Sequence, residues 1–432
     1  MDLRAERGAG ASPHPDRVDP RHAGAVAAGP GGLPRAVSSG TDVEARAARA
    51  VVLGLGINGL GVVRALGRAG IPVLGAWTGR DEAGRLSRYS RPVRLTAQRS
   101  GLALDDLLHA LGGATDRPAL FATCDADAAW INEQQQLLQG HFRFHAIERD
   151  LFRRLESKRG IVELLREQRI EAPRTEHFES LQQLEERASA LPVPVLVKPV
   201  DTYRRTLPAG AKNELFSDRV SLLAFVRSHP AHVPDMVFQE VVPSGDGHIH
   251  FCTVLMDASG SPVLRYTGRK LRQYKPDYGV TCFGVSEWNA EVADIATRFL
   301  QGIGYRGLCT LEFAHHRGTG RYLLLEANPR SYYPNALATA SGLNFPLAEY
   351  RLLMGEALPA PARQKDGVHW IDFPRDLGSF YRKMRAGQVT TAAWMRSLSK
   401  ARSFASFAID DPAPWLDESF ALLARVLTFP FR

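Results

Sequence analysis

Cysteine is scarce in this sequence, and long apolar runs are missing. The 432 residues include four cysteines without a CxxC pair, so neither a zinc site nor a disulfide framework is predicted. Apolar stretches are interrupted by glycine or charge well short of the ~20 residues of a spanning helix, and the N-terminus has no apolar signal core. We therefore expect a cytoplasmic protein with no stable membrane insertion.

Charge of one sign is also not concentrated anywhere in the chain. Lysine plus arginine outnumber aspartate plus glutamate by 54 to 46, which gives a formal net charge of +8. This sign suits an anionic cofactor, nucleic acid or an acidic membrane without choosing among them. Because no basic arm with interleaved aromatic residues is present, we expect no nucleic-acid binding.

Composition divides the chain into a tail and ordered segments. Residues 1–49 are rich in Gly, Ala, Pro and Arg without apolar periodicity, which predicts a disordered tail. From 50 to about 150, short apolar runs alternate with helix-like stretches, and this predicts a parallel, helix-covered α/β sheet. Residues 361–432 predict a helical extension docked on the main body. The apolar runs of the α/β segment are VVLGLG (51–56), IPVLGAW (71–77) and RPALFATC (117–124).

Two runs around a Gly-containing turn, CTLEF (309–313) and RYLLLEANPR (321–330), predict a β-hairpin. If it closes near Thr319, Glu312 lies opposite Glu326, and Asn328 shares their face. Facing carboxylates repel and resist desolvation, but a hard divalent cation removes both objections. The hairpin therefore predicts a magnesium site, with solvent-facing glutamates as the alternative.

Five motifs in order resemble the ATP-grasp superfamily, and within it the carboxylate-amine ligase branch that includes D-aspartate ligase and the ligase of pyrrolysine biosynthesis. The resemblance implies an N-terminal Rossmann-like pre-ATP-grasp domain (50–150) and an ATP-grasp domain (151–360). The latter would contain a mobile lid at about 175–237 and an antiparallel-sheet subdomain that binds ATP and Mg²⁺. The motifs are SK (157–158), VLVKP (195–199), FQEVVPSGD (238–246), LEF (311–313) and LEANPR (325–330).

The resemblance also implies residue roles. Lys158 and Lys198 would meet ATP phosphates, and Lys198 ends an apolar strand where a buried ammonium needs an anion. Lys212 would compensate for a loop with one glycine in place of a glycine-rich lid loop. Arg330 would steady the phosphoryl group in transit. The hinge that reads adenine would be Gln239, Glu240 and Val242, the ribose ligand Asp246, and the Mg²⁺ or Mn²⁺ ligands Glu312, Glu326 and Asn328.

A basic cluster at 267–279 alternates cations with apolar residues and tyrosines. We expect Arg269, Lys270 and Arg272 to contact phosphates or an acidic substrate, with a solvated loop as the alternative.

The implied function is an ADP-forming ligase, which activates a small carboxylate as an acyl phosphate and joins it to an amine. A homodimer is compatible with it. A bicarbonate-using carboxylase of the same superfamily is one alternative. An NAD(P)-binding oxidoreductase is another, because GLGINGLG (54–61) satisfies GxGxxG. Against it, Ala76, Trp77 and Thr78 stand where a ribose-binding acid is expected, and only Arg80 favours NADP.

Overall fold

The computed structural model describes residues 49–79, 82–98, 101–102, 104–112, 116–201, 207–210, 213–274, 279–360 and 362–428. The predicted tail, except for its last residue, lies outside these ranges, and so do Arg80 and Lys212. Within them, no helix is long and apolar enough to cross a membrane. All four cysteines are described and are free thiols.

Strands and helices alternate along the described residues. The strands are β1 (Ala50–Leu53), β2 (Val73–Trp77), β3 (Arg91–Arg94), β4 (Ala97–Gln98), β5 (Gly101–Leu102), β6 (Ala119–Ala122), β7 (Thr175–His177), β8 (Val195–Pro199), β9 (Glu214–Phe216), β10 (Met236–Glu240), β11 (Ile249–Met256), β12 (Pro262–Tyr274), β13 (Val280–Ser286), β14 (Gly307–His315), β15 (Tyr322–Asn328), β16 (His369–Ile371) and β17 (Ala401–Phe404). The α-helices are α1 (Ile57–Gly67), α2 (Leu104–Leu111), α3 (Asp125–Glu133), α4 (Gln135–Leu138), α5 (Arg149–Glu156), α6 (Lys158–Glu167), α7 (Leu181–Arg187), α8 (Arg219–Ser228), α9 (Ala290–Gly302), α10 (Asn335–Ala340), α11 (Phe345–Met354), α12 (Phe373–Arg385), α13 (Thr391–Leu398) and α14 (Ala413–Thr428).

The N-terminal sheet is parallel, with strand order β3-β2-β1-β6. Every residue of β1 is buried, because helices and loops cover both faces of a parallel sheet. The alternating apolar runs of the sequence predicted this architecture. The order reverses between β1 and β6, so the loops after these two strands leave the same sheet edge side by side.

A second, antiparallel sheet has the order β7-β10-β8-β9 and lies within residues 175–240, where the lid is predicted. Its apolar face packs on α7 and α8 around Phe178, Val197 and Phe238. Lys198 and Gln239 lie on the neighbouring strands β8 and β10 of this sheet.

The largest sheet has seven strands in the order β15-β14-β11-β12-β13-β16-β17. Along β14, the alternate residues Cys309, Leu311 and Phe313 join the core with α6 and α9, so the residues between them face the opposite side. The C-terminal extension was predicted to be helical. It also adds β16 and β17 to this sheet, and its helix α12 packs on β12.

Candidate active site

The hairpin register brings two carboxylates face to face. Glu312 on β14 is directly opposite Glu326 on β15, and Asn328 is opposite Thr310 two residues along. This is the predicted register. Directly opposed residues of antiparallel strands share a sheet face, so all of these side chains point to the same side of the seven-stranded sheet.

Each facing carboxylate is paired with a lysine from another element. Lys158 Nζ lies 2.9 Å from Glu326 Oε2, and Lys270 Nζ lies 2.6 Å from Glu312 Oε2. Lys158 is the first residue of α6, and Ser157 caps that helix by accepting from the Gly160 N–H. The structure therefore brings together these four side chains, which belong to four separate motifs of the sequence.

The two carboxylates differ in their electrostatics. The Lys158 ammonium, the largest influence on Glu326, holds the pKa of that carboxyl well below its usual range. Burial, reinforced by the negative charge of Glu326, raises the pKa of Glu312 even though Lys270 opposes the shift. Facing carboxylates in a partly buried site cannot ionise independently, and added positive charge would relieve their repulsion.

The surroundings of Lys198 disfavour its charged form. Burial and the nearby charge of Lys158 lower its pKa to about 8. Its Nζ donates to Gln239 Oε1 at 2.7 Å, and Gln239 in turn donates to Thr175 Oγ1 at 3.0 Å. A neutral amide partner does not offset the cost of a buried ammonium, so Lys198 suits an anionic ligand.

Arg330 follows β15 and connects the hairpin to the N-terminal sheet. Its Nη2 donates to Asn328 Oδ1 at 3.0 Å, its Nη1 donates to the Ser331 carbonyl at 3.1 Å, and its Nε forms an ion pair with Asp125 at the start of α3. The guanidinium is thus fixed in orientation two residues beyond a predicted metal ligand. Asp125 directly follows the third apolar run, but its side chain carried no signal in the sequence that pointed to Arg330.

Asn58 in the glycine motif secures the same loop. It donates to the Ser331 carbonyl at 2.8 Å and to the Thr123 carbonyl at 2.7 Å, and it accepts from Asn335. A Cβ added at Gly61 would lie 1.9 Å from Asn335 Oδ1, so this glycine permits the close approach of α1 to α10. The motif therefore holds the loop that carries Arg330.

The edge of the glycine motif where a dinucleotide pyrophosphate would lie is occupied by a carboxylate. Glu82 accepts from the Leu55 N–H and, at 2.9 Å, from the Gly79 N–H. The Gly84 N–H also donates to the Leu55 carbonyl at 2.9 Å, which folds residues 82–86 over the turn. The Glu82 carboxylate would repel an anionic ligand at this turn. The sequence also lacks the acidic residue that would bind the ribose, so both observations disfavour a dinucleotide site.

The predicted hinge residues lie at the end of β10 and just beyond it. Glu240 Oε1 accepts from the Arg174 N–H at 2.9 Å, and the Val242 carbonyl accepts from the Ser244 N–H at 2.7 Å. Asp246, the predicted ribose ligand, forms an ion pair with Lys383 of the C-terminal extension at 2.6 Å. Their nucleotide roles remain predictions, and Lys383 was not identified from the sequence.

The residues of the basic cluster form ion pairs with different partners. Lys270 joins the facing carboxylates, but Arg269 pairs with Glu287 at 2.7 Å. Arg272 forms a bidentate pair with Asp376 on α12, at 2.7 and 2.9 Å. A register irregularity between residues 270 and 272 of β12 accompanies this divergence. The structure thus does not bring Arg269 and Arg272 to the carboxylates, and Lys212 lies outside the described residues.

The donor set of this site fits a magnesium ion that also binds ligand oxygens. In the described part of the chain, no three His, Cys, Asp or Glu side chains form a metal-binding group. Glu312, Glu326 and Asn328 contribute two carboxylates and one amide oxygen on one sheet face. Mg²⁺ is typically held by one or two carboxylates together with phosphate oxygens and waters.

Sequence comparisons match parts of this chain. Residues 286–360, which contain Glu312, Glu326, Asn328 and Arg330, match the family described as the carbamoyl-phosphate synthase L chain, ATP binding domain. The N-terminal section of the carbamoyl phosphate synthase large chain of Methanopyrus kandleri is 27% identical over 209 residues. That match covers 46% of this chain and 36% of the relative's length, so the chain spans about a third of the curated relative.

Solved structures show the same fold. The L-amino acid ligase of Bacillus licheniformis aligns with a TM-score of 0.54 and 15% identity, over 70% of this chain and 73% of that one. The N5-carboxyaminoimidazole synthetase of Staphylococcus aureus aligns with a TM-score of 0.57 and 12% identity, over 78% and 85%. The biotin carboxylase domain dimer of the Hydrogenobacter thermophilus 2-oxoglutarate carboxylase, solved with MgADP, ADP and bicarbonate, aligns with a TM-score of 0.58 and 14% identity, over 74% and 73%.

The chain therefore has the fold of these proteins, the ATP-grasp fold that the ordered motifs predicted.

Proposed function

We propose that this chain is an ADP-forming ligase that activates a carboxylate as an acyl phosphate and then joins it to an amine. One observation carries the proposal: Glu312 and Glu326 face each other on one sheet face and pair with Lys270 and Lys158. Lys198 is near enough for the charges of both carboxylates to act on it. Alternating positive and negative groups of this kind suit a triphosphate with its metal. The proposal includes the partners of the reaction, which are ATP, a small carboxylate and an amine. It also includes a homodimer as a compatible assembly.

Glu312, Glu326 and Asn328 would hold Mg²⁺ or Mn²⁺. When bound, the ion would neutralise charge on the terminal phosphates. Lys158 and Lys270 pair with the two carboxylates here, and they would be available to phosphate oxygens if a metal ion neutralised those carboxylates.

The other side chains bind and orient the reacting groups. Lys158 and Lys198 would bind the terminal phosphates from the α6 terminus and the small sheet. Arg330, held by Asp125 and Asn328, would stabilise charge on the γ-phosphoryl group in transit and on the acyl phosphate. The amine then displaces phosphate, so the products are an amide, ADP and phosphate.

A bicarbonate-dependent carboxylase is the second candidate, favoured by the structural likeness to the biotin carboxylase domain. Both reactions activate a carboxylate-like oxygen with ATP. The requirement for bicarbonate distinguishes the two candidates, because the carboxylase would release phosphate from ATP only when bicarbonate is present.

Nucleotide binding tests the proposal at its first step. We expect the purified protein to bind ATP in the presence of Mg²⁺ and to show no useful affinity for NAD or NADP, because phosphate-binding lysines surround the carboxylates while Glu82 fills the glycine turn. Titration calorimetry with each nucleotide, with and without Mg²⁺, measures this. Tight NAD or NADP binding without ATP binding would overturn the assignment.

A further inference from the structure

The C-terminal extension reaches the predicted nucleotide site through one side chain. Lys383, near the end of α12, places its Nζ 2.6 Å from Oδ2 of Asp246. Both side chains are largely buried, with 14% and 13% of their surface exposed. Gln273 of β12 donates to Oδ1 of the same carboxylate at 3.4 Å. Two different elements therefore contact the Asp246 carboxylate, one at each oxygen.

The helix that carries Lys383 is fixed on β12. Asp376, Ser379 and Lys383 are spaced three and four residues apart, so they share one face of α12. Asp376 is fully buried and accepts both hydrogen bonds of the bidentate pair with Arg272. Ser379 Oγ donates to the Gln273 carbonyl at 2.8 Å. These contacts, one and two turns before Lys383, set where its ammonium lies.

We infer that Lys383 is a positioning residue of the nucleotide site, which holds the Asp246 carboxylate in place to accept the ribose hydroxyls of ATP. This rests on the proposed function and on the sequence prediction that Asp246 is its ribose ligand. A carboxylate offers about four acceptor sites, so the Asp246 carboxylate can pair with Lys383 and still accept a ribose hydroxyl. The ammonium also offsets the cost of burying the Asp246 charge.

The test compares dissociation constants for ATP, 2′-deoxy-ATP and 3′-deoxy-ATP, each with Mg²⁺, in the intact chain and in Lys383→Met. In the intact chain we expect ATP to bind about tenfold or more tightly than at least one deoxy nucleotide, since a hydroxyl bonded to a charged acceptor is lost. In Lys383→Met the ATP affinity should fall about tenfold. The affinity for that deoxy nucleotide should change little, so the preference disappears.

A neighbouring cation on the same helix provides the matched control. Arg382 lies over the Tyr274 ring at 5.0 Å, so Arg382→Met removes a cation of α12 while leaving the Asp246 pair in place. This control should keep both the ATP affinity and the preference. Lys383→Arg should keep most of the preference, and it serves as the second variant if Lys383→Met does not fold.

Asp246→Asn should lose the same preference, and adding Lys383→Met to it should cause no further loss, because the two residues act as one unit. An unchanged preference in Lys383→Met or tighter ATP binding by that variant would overturn the inference. If the intact chain does not bind ATP at all, the proposed function fails instead, so the two failures are distinguishable.

Discussion

Replacing Glu326 by glutamine is expected to lower turnover by at least ~100-fold while the protein remains folded. The change keeps the shape of the side chain but removes the charge that faces Glu312 across the hairpin and pairs with Lys158. A neutral amide is a weaker ligand for a hard cation, and charge stabilisation at a phosphoryl-transfer site contributes ~100-fold or more in rate. Steady-state rates with saturating ATP and Mg²⁺, alongside a thermal melt, measure the effect.

Glu287→Gln is the matched control for this prediction. Glu287 is also a glutamate that pairs with a basic residue of β12, Arg269, but its partner lies apart from the facing carboxylates. The same chemical change there should leave turnover within about twofold, as expected for a partly exposed ion pair. Similar losses in Glu287→Gln and Glu326→Gln would show that the effect does not come from the proposed metal site.

Replacing Arg330 by alanine is expected to lower kcat by at least ~100-fold with a smaller change in the KM for ATP. The guanidinium is oriented by Asp125, Asn328 and the Ser331 carbonyl, so its contribution is greatest when charge develops on the phosphoryl group. Arg330→Lys should recover only part of the rate, since an ammonium cannot make these fork-like contacts together. Steady-state kinetics of the three proteins separate kcat from KM.

Arg321→Ala controls for loss of an arginine from the same hairpin. Arg321 is exposed near the hairpin turn and pairs with Glu171 at 2.9 Å, at the other end of β15 from Arg330. Its removal should leave the rate nearly unchanged. A mild effect of Arg330→Ala, or an equal loss in Arg321→Ala, would contradict the role proposed for Arg330.

The sequence was sufficient where local periodicity determines the geometry. The hairpin register depends on strand alternation and a short turn, so Glu312 and Glu326 were correctly predicted to face each other. The Ser157 cap and the parallel N-terminal sheet follow from similarly local signals. In each case the decisive residues are close in sequence or repeat within one element.

Contacts between distant segments were not predictable in this way. Asp125 meets Arg330 across 205 positions, and Asn58 meets Ser331 across 273. No periodicity relates residues so far apart, because their approach depends on how whole elements pack. Lys383 was not predictable from the sequence for the same reason, because the C-terminal extension that carries it contains no motif.

The basic cluster shows a further limit of pattern analysis. Lys270 and Arg272 are two residues apart and were expected to contact similar groups. In the structure Lys270 reaches Glu312, while Arg272 binds Asp376 of the extension, with a register irregularity between them. A small irregularity in strand pairing redirects side chains, and the sequence carries no clear signal for it.

Interception of the activated carboxylate tests the central claim most directly. A panel of amino acids and other small carboxylates is incubated with the protein, ATP and Mg²⁺, with and without hydroxylamine, and the nucleotide products are identified. The account predicts that an accepted carboxylate yields its hydroxamate together with ADP and phosphate, because the lysines, carboxylates and Arg330 would surround the terminal phosphates of bound ATP. Formation of AMP and pyrophosphate by an active preparation would contradict it, since the carboxylate would then be activated by adenylation.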